Sequence, residues 1–262
     1  MSNPSAIDPE QELFDQSHCE HCICGAGLDF DFTFAFQPIV DAEERRPIAY
    51  EALVRGVNGE GAGSILGKVD KRSMYRFDQA CRVKAVKLAA ELGLKELLCI
   101  NFMPNAVYKA ETCIRTTLAA AEKYNFDTRQ LVFEFTEVEN LASTDHLISI
   151  IEAYNDMGFA IALDDYGAGY SRLNLLIDTS PEFLKLDMYL IRDVHKDPRK
   201  QALIEGTFLS MYRLGIKIIA EGVETEEEYR WCRALGIRYY QGYLLAKPGF
   251  ETLPDPYIPE DT

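Results

Sequence analysis

From about residue 33 onward, short apolar runs alternate with longer stretches in which apolar residues recur every three or four positions. The runs "TFAFQPIV" (33–40), "IAYEALV" (48–54), "LLCINF" (97–102), "LVFEF" (131–135), "AIAL" (160–163), "FLKL" (183–186), "IKIIA" (216–220) and "IRYY" (237–240) have the length and the β-branched or aromatic content of strands. Between them the spacing predicts helices. In "STDHLISIIEAYNDMG", Leu147, Ile150, Ile151, Tyr154 and Met157 share one face, Ser143 or Thr144 can cap the start, and Gly158 can end it. A second helix runs from about Ser73 to Leu92, with Phe77, Cys81, Ala85, Leu88 and Leu92 as its stripe. In "TEEEYRWCRALG", Thr225 and Glu228 have capping-box spacing and Gly236 stands at the end. Eight strands with helical crossovers predict an α/β fold. A barrel of alternating strands and helices fits, and an open doubly wound sheet would show a similar pattern.

The informative residues are the polar ones inside or just after the apolar runs. Glu51 interrupts "IAYEALV", Asn101 follows "LLCI", Glu134 follows "LVF", Asp164 and Asp165 follow "AIAL", Lys185 lies in "FLKLD", Glu221 follows "IIA" and Gln241 follows "IRYY". In a closed barrel the C-terminal strand ends meet on one face, so these groups would share one cleft. Burying several unpaired carboxylates together costs several kcal/mol per ion or forces them to take up protons, whereas divalent cations with oxygen ligands remove the conflict. Five carboxylates and an amide suffice for two hard cations with one carboxylate between them, an arrangement suited to attack on a phosphodiester. Taken singly, each residue has a plainer reading: Asp-Asp as a turn or helix cap, Glu51 or Glu221 as half of an ion pair, Lys185 as a solvated strand end. The recurrence across seven strands carries the inference.

Composition narrows the picture further. At 262 residues and 47% hydrophobic content the chain can form one large domain. Lys and Arg total 27 against 42 Asp and Glu, a formal net charge of −15, so polymeric nucleic acid is not an expected partner and an anionic substrate would need cations at the site. No apolar run approaches the roughly 20 residues that span a bilayer, and the first 30 residues lack a signal-peptide layout, so no membrane partner is expected and the expected location is the cytoplasm. Cys81, Cys99, Cys113 and Cys232 sit in apolar patterns and read as buried thiols.

The ends of the chain follow neither period. Residues 1–32 read as an N-terminal extension, 33–250 as the barrel and 251–262 as an acidic, proline-punctuated tail. Within the extension, "SHCEHCIC" gathers His18, Cys19, His21, Cys22 and Cys24. Thiolate and imidazole ligands of this kind suit zinc or a softer metal, and the same cysteines could act as a thiol redox sensor or belong to a mere extension.

The ordered motifs "FQPIV" (36–40), "EALVR" (51–55), "NFMP" (101–104), "EFTE" (134–137), "DDYGAGYS" (164–171), "LKLD" (184–187), "EGVE" (221–224) and "QGYLLAKP" (241–248) resemble those of the EAL-domain cyclic di-GMP phosphodiesterases of bacteria, over roughly residues 33–250. The resemblance implies a modified TIM-type (β/α)8 barrel whose first strand is antiparallel to the others, and hydrolysis of cyclic di-GMP to linear pGpG. By the same resemblance, Glu51, Asn101, Glu134 and Asp164 match ligands of one Mg²⁺ or Mn²⁺, while Asp164 as the bridge, Asp165 and Glu221 match those of a second. Lys185 matches a residue that contacts the attacking water, Gln241 a group lining the same pocket, Arg55 a contact to substrate phosphate, and Gln37 a position near a guanine. Glu137 and Glu224 match loop-support positions, and the family's loop after the paired aspartates is linked to dimerisation, so a homodimer is expected. No matched ligand is missing, which favours an active enzyme over a non-catalytic cyclic di-GMP receptor or a protein-interaction module. Tyr166, Ala168 and Arg172 depart from the Phe, Thr and Ser that many members carry in that loop.

Overall fold

The computed structural model describes residues 28–107, 109–136, 144–168 and 173–260. All eight expected strands form: β1 Thr33–Asp41, β2 Arg46–Arg55, β3 Leu97–Asn101, β4 Leu131–Thr136, β5 Ala160–Tyr166, β6 Phe183–Leu186, β7 Lys217–Ala220 and β8 Tyr239–Tyr240. They pair in the order β2-β3-β4-β5-β6-β7-β8-β1, and a β1–β2 ladder closes the ring. The structure thus decides for a barrel over an open sheet. Neighbours from β2 to β8 are parallel, whereas β1 runs antiparallel to both β2 and β8. A ninth strand, β9 Gly249–Phe250, pairs with Ala35 and Phe36 of β1, along the edge that the two residues of β8 leave open.

The crossover helices are α1 Ala62–Leu66, α2 Met74–Glu91, α3 Ala110–Cys113, α4 Arg115–Lys123, α5 Thr144–Asp156, α6 Leu173–Asp178, α7 Met188–Ile191, α8 Pro198–Leu214 and α9 Glu226–Leu235. α9 starts with the capping box expected from Thr225 and Glu228 and ends at Gly236 with φ 106°, a left-handed backbone that glycine adopts without strain. On α5 Leu147, Ile150, Ile151 and Tyr154 are buried, but Met157 lies past the helix end and is exposed. Of the expected stripe of α2, Phe77 and Ala85 are buried and Cys81, Leu88 and Leu92 pack half-buried against the core, but the buried face is wider than the stripe and includes Asp78, Gln79 and Arg82. Cys99, Cys113 and Cys232 are buried and in no disulfide, whereas Cys81 is partly exposed.

One apolar layer crosses the barrel interior, built from Ile39, Ala49, Cys99, Val132, Ala162, Phe183 and Ile219, with Tyr239 packed against it. Every strand of the ring contributes one residue. Because side chains alternate along a strand, the residue two further toward the same end faces inward again and forms the next layer.

Described residues on either side of the barrel in sequence pack on this body. Phe32 is buried with its ring 5.1 Å from that of Phe77, and Lys84 pairs with Asp31 at 2.5 Å. At the other end Arg45 donates to the carbonyls of Ile258 and Pro259 at 3.0 and 2.9 Å, and Tyr50 donates through its hydroxyl to Pro254 at 3.2 Å. Residues 254–259 therefore lie along the β1–β2 side of the barrel. No helix among the described residues is long and apolar enough to cross a membrane.

Candidate active site

Two residues beyond the apolar layer, toward the C-terminal ends of the parallel strands, stand Glu51, Asn101, Glu134, Asp164, Lys185, Glu221 and Gln241. Gln37 joins them from β1 by the opposite count: it is two residues before Ile39, and because β1 is antiparallel it stands beside Glu51 in the ladder. The strand-end pattern missed Gln37, since it assumed that every strand points the same way. The register of β3 on β4 sets Asn101 beside Glu134, whereas β6 and β7 are staggered, so that Lys185 pairs with Ile219 of the apolar layer, as the tilt of barrel strands requires. The period of two and the closure of the barrel thus bring together residues 204 positions apart, Gln37 and Gln241, whose amides lie 3.4 Å from each other.

Asp165 needs a further device, because in a regular strand it would point away from Asp164. Between β5 and β6 the pairs Leu163–Leu184 and Tyr166–Leu186 leave two residues, Asp164 and Asp165, opposite the single Lys185. This is a β-bulge, with Asp165 in the left-handed region at φ 57°. It re-aims both carboxylates into one cleft, and Asp164 Oδ1 accepts the Asp165 backbone N–H at 2.8 Å. The run "AIAL" therefore stops too early as a strand: β5 continues through both aspartates to Tyr166.

Carboxylate oxygens of Glu51, Glu134 and Asp164 lie within 4.8 Å of one another, and so do those of Asp164, Asp165 and Glu221. Asp164 belongs to both groups. Asn101 directs its amide at the first group, with Nδ2 2.8 Å from Glu51 and 3.5 Å from Glu134, and a turn about its last torsion would present Oδ1 instead. Lys185 is 1% exposed and sends Nζ to Glu221 at 2.7 Å, Glu134 at 3.1 Å, Asp164 at 3.2 Å and Glu51 at 3.3 Å. Gln241 donates through Nε2 to Glu51 at 2.8 Å.

The charge in this cleft is unbalanced: five carboxylates face one ammonium, leaving four negative charges, the amount that two divalent cations would neutralise. The protons respond accordingly. Burial and the neighbouring carboxylates push Glu134 and Glu221 well above the usual carboxylate range, and burial with Asp164 beside it raises Asp165 to about 6. Burial also opposes the charge on Glu51, but Lys185 and the amides of Gln241 and Asn101 outweigh it and hold that carboxyl below its ordinary value. Lys185 is likewise penalised by burial, and the carboxylates around it more than compensate. Glu134 is fully buried, and its Oε1 faces the shared Lys185 ammonium at 3.1 Å, a contact outside good hydrogen-bond geometry. A hard cation with oxygen ligands fits such a donor set.

Among the other expected residues, Arg55 lies on the inward-facing alternation of β2, four residues beyond Glu51 and so about 13 Å nearer the mouth. Glu224 forms a two-pronged ion pair with Arg192, both oxygens at 2.6 Å, which ties the loop after β7 to the segment after α7. Glu137, Arg172 and the cluster His18, Cys19, His21, Cys22 and Cys24 lie outside the described residues. Gly242 was visible only as part of a motif. A Cβ there would stand 2.1 Å from the Val223 carbonyl oxygen, so glycine lets the loops after β7 and β8 cross beside Gln241.

A family model described as "EAL domain" matches residues 28–248. This chain belongs to the EAL domain family. A standalone EAL protein from Vibrio cholerae O395, solved with c-di-GMP bound, is 49% identical to this EAL domain; the likeness covers 88% of this chain and 98% of that one with a TM-score of 0.85. Klebsiella pneumoniae BlrP1, solved with manganese and cyclic di-GMP, is 33% identical over 86% of this chain and 58% of its own, with a TM-score of 0.80. The cyclic di-GMP phosphodiesterase PdeR of Escherichia coli is 31% identical over 167 residues, 63% of this chain. The curated relatives are longer: the chain spans 25% of PdeR and 62% of the Escherichia coli antirepressor BluF, to which it is 30% identical.

Proposed function

We propose that this EAL domain hydrolyses cyclic di-GMP to linear pGpG with two Mg²⁺ or Mn²⁺ ions. The observation that carries this reading is the double membership of Asp164: one carboxylate shared by two groups of oxygen ligands, with Lys185 between them. Cyclic di-GMP bound in similar structures, with manganese in one of them, supports the choice of substrate and metal.

Glu51, Asn101, Glu134 and Asp164 would hold one cation, and Asp164, Asp165 and Glu221 the other. When bound, the ions polarise phosphoryl oxygens and make a water more acidic. The protein groups do the rest. Lys185 donates hydrogen bonds to the attacking oxygen and favours its deprotonated form, and Gln241, fixed on Glu51, lines the same wall. Arg55 at the mouth meets a substrate phosphate, and Gln37, which donates to the Ala246 carbonyl at 3.1 Å, stands where a guanine edge would pass. Attack on one phosphorus breaks its bond to a ribose 3′-oxygen, so the product keeps a 5′-phosphate at one end and a free 3′-hydroxyl at the other. Ile177, Met188 and Tyr189, exposed on α6 and α7, give the homodimer an apolar surface to form on.

Incubation of the purified protein with cyclic di-GMP and Mn²⁺, followed by chromatography, tests this reading. It should yield pGpG, and EDTA should abolish the product. Intact nucleotide after hours would refute hydrolysis, and micromolar retention of that intact nucleotide would favour a receptor instead.

A further inference from the structure

Outside the carboxylate cleft, the most enclosed ion pair among the described residues is Asp78–Arg82 on α2, with exposures of 3% and 0% and a 2.6 Å contact. A buried ion pair returns little net stability, because desolvation cancels most of its attraction, and apolar residues of similar volume often serve as well. This pair does something apolar residues could not. Asp78 Oδ1 accepts the backbone N–H of Met103 at 3.1 Å. β3 ends at Asn101, so the Met103 amide has left the sheet, and Pro104 after it offers no amide at all.

The segment just past Asn101 is held from three sides. The Phe102 N–H donates to the Glu134 carbonyl at 3.0 Å, on β4. The Phe102 ring lies 5.7 Å from the Arg82 guanidinium and 5.6 Å from the ring of Tyr154, on α5, and Arg82 Nη1 reaches the Tyr154 hydroxyl at 3.4 Å. Arg82 thereby locks the Asp78 carboxylate, and Asp78 locks Met103, two residues from Asn101. Asn101 itself is an exposed residue whose amide reaches Glu51 and Glu134, so its aim depends on the backbone that carries it.

We propose that Asp78, held by Arg82, is a positioning residue for Asn101: by anchoring the Met103 amide it aims the Asn101 side chain at Glu51 and Glu134. This rests on the reading of those residues as a cation site. The consequence is a coupling between a helix on the outside of the barrel and metal affinity inside it, of the kind that outer partners of metal ligands exert.

The test is a double-mutant cycle read by calorimetric Mn²⁺ titration of wild type, Asp78→Ala, Asn101→Ala and the double variant, with thermal midpoints taken alongside. Asp78→Ala should weaken Mn²⁺ binding about tenfold, and should add less than about a twofold loss on top of Asn101→Ala, because the residue it positions is already gone. Additive losses, or unchanged affinity in Asp78→Ala, would overturn the proposal. Should Asp78→Ala not fold, Asp78→Leu with Arg82→Met carries the same comparison, since it leaves no buried charge unpaired. Wild-type protein that binds no Mn²⁺ would overturn the cation site and this proposal with it, whereas wild-type binding with additive losses overturns this proposal alone.

Discussion

Lys185 holds its ammonium 2.7 Å from a carboxylate oxygen of Glu221 and within 3.3 Å of Glu51, Glu134 and Asp164, the carboxylates among which two cations would be held. On the proposed mechanism the lysine competes with metal for the same oxygens while supplying the positive charge next to the attacking oxygen. Lys185→Met separates these roles. Hydrolysis should fall by about 10²–10⁴-fold, while Mn²⁺ affinity stays equal or rises. Parallel loss of both, measured by chromatography and calorimetry, would show that the lysine is only a structural counter-ion.

The bulge gives Asp164 and Asp165 unequal duties. Asp164 belongs to both oxygen groups and Asp165 to one. Asp164→Asn should remove both Mn²⁺ ions from the calorimetric stoichiometry, and Asp165→Asn should leave one. Equal stoichiometry in the two variants would contradict a shared carboxylate.

Seven of these positions were legible because the barrel turns a local rule into a global one. The position two residues after the interior layer lies toward the C-terminal end of β3 through β8 and in mid-strand on β2, and each such position holds a polar residue the chain need not otherwise place there. Gln37 obeys the same rule with the sign reversed, which periodicity alone cannot reveal. Asp165 was legible as a residue but not as geometry, since a bulge leaves no trace in hydrophobic spacing. The helix α8 lacked a visible stripe: of its apolar residues Ile204 and Met211 are buried, but Leu203, Leu209, Tyr212 and Leu214 are exposed, so its pattern is apolar nearly all round. On α2 the apolar stripe does face the core, but apolar spacing does not show that the buried side also carries Asp78 and Arg82. The resemblance to a family supplied what patterning could not, namely a nucleotide substrate and distinct roles for Gln37 and Arg55.

Acid should affect the metal-free protein and the metal complex in opposite senses. Asp165 has an ordinary value of 3.8 and is raised to about 6, so the metal-free fold binds this proton more tightly than the unfolded chain does. Its contribution to stability is present below 3.8 and is lost as pH rises through about 6. Glu134 and Glu221 act in the same sense, while Glu51, whose carboxyl is lowered, acts in the other. Cations need the deprotonated carboxylates, so Mn²⁺ affinity should climb across the same window. The rise in melting temperature caused by Mn²⁺ should therefore grow between about pH 5 and pH 8. A shift independent of pH would show that the raised carboxyls are not ligands.

Gly242 offers a test of the scaffold. With a Cβ 2.1 Å from the Val223 carbonyl oxygen and 2.3 Å from its nitrogen, Gly242→Ala must push apart backbone segments joined by the Val223 N–H to Gln241 carbonyl bond at 3.1 Å. We expect a loss of about 1–3 kcal/mol in denaturant unfolding, and a drop in turnover at saturating Mn²⁺ as Gln241 moves. Wild-type stability and turnover in this variant would mean that the loops yield freely.

One carboxylate, Asp164, joins the two cation sites, and anomalous diffraction from crystals soaked in Mn²⁺ examines it directly. Two peaks are expected, one among Glu51, Asn101, Glu134 and Asp164 and one among Asp164, Asp165 and Glu221, with Asp164 in contact with both. A single peak, or two peaks neither of which touches Asp164, would contradict it.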